Sequence, residues 1–200
     1  MIITALLLAV QAPPQDPRLA RLDVETRASV VAILDSVGKE GLPAEPLVQR
    51  ALEGATKGAA GERIVLAVRR LAGDLGTARV ALGSESTSPE LEAAAAALRA
   101  GATPQLLAKL RAARHAPLTM ALAVLADLVA SGVPADSAAA AVLALAPTAR
   151  DNDLVEFRRA VERDIALGAP PSAATSIRVN AGAINAPGFA GNPGPHPSRP

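Results

Sequence analysis

Apolar positions along the chain repeat with the period of a helix. Ile64, Val68, Leu71, Leu75, Ala78 and Leu82 recur in alternating steps of four and three, as do Leu118, Leu122, Leu125 and Val129. That spacing lines one face of a structure with 3.6 residues per turn. Leu47, Ala51, Leu52 and Ala55 form a third stripe, and Leu154, Phe157, Val161 and Ile165 a fourth. No strand-like alternation of convincing length interrupts them. The stripes and the polar stretches between them predict eight helices, over about 23–39, 43–55, 61–82, 89–100, 104–113, 116–130, 134–145 and 152–167.

The helices are separated by a recurring mark: Gly41-Leu42-Pro43, Gly101-Ala102-Thr103-Pro104, Gly132-Val133-Pro134 and Gly168-Ala169-Pro170. Glycine takes the left-handed position that ends one helix, and proline starts the next where its missing N–H costs nothing. The glycines lie 60, 31 and 36 residues apart, so each of the last two units has the length of a helical hairpin. Start signals agree: Asp153 and Glu156 are spaced as a capping box, and Ser88-Pro89-Glu90 reads as a cap followed by a first-turn proline and acid. The expected fold is all-α, built of stacked antiparallel hairpins. Periodicity alone leaves an α-solenoid and a closed helical bundle equally open.

Composition narrows the core. Half of the residues are hydrophobic, but 47 are alanine, with two Phe and no Tyr or Trp. Such a core must bring backbones close together, which suits helices and excludes an all-β domain. Twenty Lys+Arg against 19 Asp+Glu leave a net charge of +1, so there is no basic field for a nucleic acid. The absence of cysteine removes disulfides, thiolate catalysis and thiolate metal sites.

The two ends differ from the middle. Ile2 to Val10 is an apolar run followed by Val10-Gln11-Ala12, a small-residue pattern of the cleavage-site type, and by Pro13-Pro14. The run is too short for a bilayer, which needs about 20 residues. Residues 1–12 are therefore expected to be a secretory signal and 13–22 a linker, with no transmembrane segment in the mature chain. The alternative, the first turns of a buried helix in a cytoplasmic protein, is kept open by the lack of Lys or Arg near Met1. After the helical domain of residues 23–168, prolines and glycines replace the leucines, and residues 169–200 are expected to be a disordered tail.

The stretch Gly41-Leu42-Pro43, with Pro46-Leu47-Val48, Ala51-Leu52-Glu53-Gly54 and Lys57-Gly58, continuing to Glu62-Arg63-Ile64, resembles a motif of uncharacterised exported all-helical proteins of high-GC bacteria. The excess of Arg over Lys, 17 to 3, is similar in flavour. The resemblance covers about a fifth of the chain. It implies an all-helical fold and export, and it carries no catalytic residue.

Candidate chemistry is sparse. Gly54, Gly58 and Gly61 surround Lys57, but Lys57 precedes Gly58 and no hydroxyl follows, so a turn between two helices fits better than a phosphate loop. His115 stands alone in a helix-to-helix connection, and His196 lies in the Pro-rich end; triads and metal sites need several converging groups. Asp151-Asn152-Asp153 with Glu156 lacks the glycine and twelfth-position glutamate of a calcium loop. No catalytic residue, cofactor or metal is expected, and the chain is read as a non-enzyme. The one recurring surface feature is a pair of arginines, Arg69-Arg70 and Arg158-Arg159, each following a core residue in its stripe, with Asp127 in the middle register. These four are the expected partner-binding residues, against the plainer reading of solvated helix faces. The functional expectation is an exported, periplasmic or extracellular adaptor or scaffold for a protein partner in the cell envelope; the alternative is a helical carrier of a small apolar ligand or acyl chain.

Overall fold

The structure, a computed structural model, describes residues 16–184. The expected signal segment and residues 185–200 of the expected tail lie outside the described residues. The fold is all-helical. A short 3-10 helix, Pro17–Arg21, precedes nine α-helices among the described residues: α1 (Val24–Lys39), α2 (Glu45–Thr56), α3 (Gly61–Leu82), α4 (Ser88–Arg99), α5 (Pro104–Ala113), α6 (Thr119–Ala130), α7 (Ala135–Leu145), α8 (Asp151–Ala166) and α9 (Pro171–Ile184). The chain divides into two compact units, residues 1–73 and 74–200, and α3 contributes to both.

The four junctions show why the helices stop where they do. Gly41, Gly101, Gly132 and Gly168 all have positive φ, between 66° and 110°. At each, the amide three residues past the helix returns to a carbonyl of its last turn: Leu42 to Val37, Ala102 to Ala97, Val133 to Leu128 and Ala169 to Asp164, at 2.9 to 3.0 Å. This six-to-one closure satisfies carbonyls the helix end leaves over. Leu42 and Val133, directly after the glycine, are buried and pin the turn to the core. The prolines behave less uniformly than expected. Pro104 opens α5, whereas Pro134 caps α7 and Pro43 and Pro170 precede their helices, because a ring that needs only a fixed φ is equally at home just before the first turn. For the same reason α6 begins at Thr119, three residues later than expected, after Pro117.

In the first unit, residues 17–22 are not a linker. Leu19 and Leu22, three apart, are both buried, the 3-10 helix packs on α2, and Arg18 donates to the Glu45 carboxylate at 2.7 and 2.9 Å. Close helix approach depends on glycine: a Cβ at Gly61 would lie 2.0 Å from the Thr26 hydroxyl oxygen, and one at Gly54 would lie 2.8 Å from Ile64.

In the second unit the helices form two rows. In one, α6 packs on both α4 and α8; in the other, α7 packs on both α5 and α9, and the rows meet through α6–α7 and α8–α9. Each helix thus packs on the helix two places away in sequence, the order that stacked hairpins produce. The predicted stripes supply much of the core of each unit. All six positions from Ile64 to Leu82 along α3 are buried, as are Leu47 and Ala51, Leu118, Leu122 and Leu125, and Leu154, Phe157 and Val161, whereas Leu52, Ala55, Val129 and Ile165 of the same stripes are only half-buried. Ala94, Ala95, Ala97, Ala121 and Ala138 are fully or nearly fully buried, so small side chains set the spacing between the rows.

The expected tail begins too early by a helix. α9 packs on α7 and α8, burying Ala174 and Thr175, and Arg178 pairs with Asp164 at 2.7 Å. Between Ser172 and Ala181 there is neither proline nor glycine, so nothing prevents a helix there.

Candidate functional site

The densest polar chemistry lies in the second unit, around Glu90. Thr87, not Ser88, is the N-cap of α4: its hydroxyl accepts from the Glu90 amide, and the Glu90 carboxylate accepts from the Thr87 amide at 3.0 Å. The same carboxylate, 3% exposed, accepts from the Leu118 amide at 2.9 Å and from Arg111 at 3.1 Å. Burial pushes the Glu90 pKa up, but the amides of Leu118 and Thr87, the Thr87 hydroxyl and the Arg111 charge outweigh it and hold the carboxyl below its ordinary range. Arg111 donates onward to the carbonyls of Arg114 and Ala116 at 2.9 and 3.0 Å.

Arg114, 4% exposed, is a second hub. It donates to the carbonyls of Pro117, Ala146 and Ala149 at 3.1, 3.1 and 2.6 Å, and to the Asp151 carboxylate at 2.6 Å. The rigid fork of guanidinium donors suits this task, since it ties the α5–α6 connection to the α7–α8 turn with most of its N–H groups occupied. Beside it lies an open hollow of about 540 Å³ lined by Arg114, His115, Thr148, Arg150, Asp151 and Asn152, among others. His115 is exposed there. Asp153 is not a cap but the third residue of α8, where its carboxylate accepts from the Arg150 amide at 2.9 Å. That bond and the Arg150 side chain hold its pKa below the ordinary range. Among the described residues no group of three or more His, Asp or Glu side chains is placed to hold a metal.

The four expected partner-binding arginines fall in different surroundings. Arg158 is half-buried and links two neighbouring helices of one row of the second unit: from α8 it donates to Asp127 of α6 at 2.6 Å and lies 3.9 Å from Glu162. Asp127, which breaks the arginine pattern in sequence, is therefore its partner. Arg159 pairs with Glu156 at 2.8 Å along its own helix. Arg69 and Arg70 are exposed on the part of α3 that belongs to the first unit. Arg69 stands on the rim of an open groove of about 510 Å³ whose other lining residues include Asp23, Glu25, Glu62, Val65 and Leu66.

Sequence reasoning missed both hubs. The Thr87-x-x-Glu90 spacing was a readable signal for the first half of the Glu90 site; nothing in local spacing points to Arg111, Leu118 or the carbonyls that Arg114 reaches. Comparison of the chain with protein-family models, with curated proteins and with solved structures finds no match.

Proposed function

We propose that this protein is a non-enzymatic helical adaptor or scaffold, exported to the periplasm or cell surface, that binds a protein partner in the cell envelope. One observation carries the reading: the buried charged side chains Glu90 and Arg114 of the second unit are spent largely on backbone ties, while Arg69 and Arg70 stand exposed on α3. Polar groups held this way organise turns rather than chemistry, and exposed arginine is the residue best suited to forked bonds with an acidic protein surface. Both large hollows are open, and that of the first unit is lined mostly by charged and hydroxyl side chains, which suits a protein surface better than an acyl chain. Export rests on the apolar run Ile2–Val10 and its small-residue exit and on the resemblance around Gly41–Gly58.

The test replaces Arg69 and Arg70 together with Gln, and separately Arg158 and Arg159. A photo-crosslinker at Val65, beside the groove, then reports capture from envelope extract across a salt series. The Arg69/Arg70 variant should lose a discrete crosslinked species that high salt also weakens, whereas the Arg158/Arg159 variant should retain it. Equal capture by all variants at every salt concentration would sink the adaptor reading. Mass spectrometry of the protein isolated from its native envelope fraction should find the first 12 residues or so removed; an intact Met1 on cytosolic protein would sink export.

A further inference from the structure

We draw no further inference here: the strongest candidate, the open groove between the N-terminal halves of α1 and α3 with Val65 and Leu66 in its lining, carries nothing because its carboxylates Asp23, Glu25 and Glu62 already serve the first turns of those two helices and nothing in the structure shows what covers its apolar part.

Discussion

A carboxylate buried to 3% exposure is tolerable at Glu90 because four donors converge on it. An unpaired buried charge would instead cost several kcal/mol. Glutamine at this position keeps the shape but points an NH2 group toward other donors, so Glu90→Gln should lose about 1 to 3 kcal/mol. Exposed Glu92, on the same helix, should change by less than about 0.5 kcal/mol on the same substitution. The two are separated by urea unfolding at neutral pH. The acid dependence has a definite sign. A carboxyl whose folded-state pKa is depressed stabilises the fold above the unfolded value and loses that contribution as pH falls through the folded one. The gap between wild type and Glu90→Gln should therefore narrow on acidification below about pH 4. A gap that stays constant down to pH 2 would show that the charge of Glu90 is not what holds the site. Half of this site was readable, since Thr87 and Glu90 have capping-box spacing, although the sequence reading placed the cap one residue late, at Ser88. The rest was not, because Arg111 and Leu118 come from 21 and 28 residues downstream, a distance over which periodicity carries no information.

At the scale of elements, the reading from sequence follows the leucines. Where Leu, Val and Ile recur at steps of three and four, as in α3, the helix and its buried face were both legible, and the observed helix runs over Gly61–Leu82, as expected from the stripe. α9 carries no leucine. Its contact surface is made of Ala174, Thr175 and Arg178, and Pro170-Pro171 at its start, averaged with the prolines and glycines after residue 186, made the whole stretch look unable to pack. Small residues suffice because α9 meets α7, itself mostly alanine, at close range. Ending the chain at Gly168 removes a helix that packs on α7 and α8 and leaves Asp164 without Arg178. Such a truncation should lower the melting temperature by several degrees and raise binding of an apolar dye, whereas ending the chain after Ile184 should leave the melting temperature within about 2 °C of the full chain. Identical melting of the Gly168 truncation and the full chain would contradict the packing of α9.

Across the whole molecule the charges nearly cancel, at +1 overall, so self-repulsion contributes little near neutrality and pH acts mainly through individual carboxyls. Their shifts share a direction. Hydrogen bonds from Arg18 and then Gln49 pull Glu45 down to about 2. Asp16, Asp23, Glu53, Asp153 and Asp164 are also held below their ordinary values, by hydrogen bonds from Arg18, Thr26, Lys57, Arg150 and Arg178 respectively. Asp74 moves the other way: burial raises it, and Arg99 at 3.7 Å offsets only part of that. Groups of the first kind bind fewer protons folded than unfolded, so stability must fall as pH drops through their folded values; Asp74 instead gains stability from acid. With seven lowered groups, Glu90 included, against one raised, the melting temperature should decline steadily from about pH 5 to pH 2. Salt divides the decline into parts. The Arg18–Glu45 and Lys57–Glu53 pairs are exposed, and at 1 M salt, where the Debye length is about 3 Å, they are screened, while the buried Glu90 site is not. Melting curves across pH at low and 1 M sodium chloride should therefore show a shallower but persistent acid limb at high salt, and the part that persists should be smaller in Glu90→Gln. A melting temperature that rises on acidification, or an acid limb that vanishes entirely at 1 M salt in the wild-type chain, would contradict this balance.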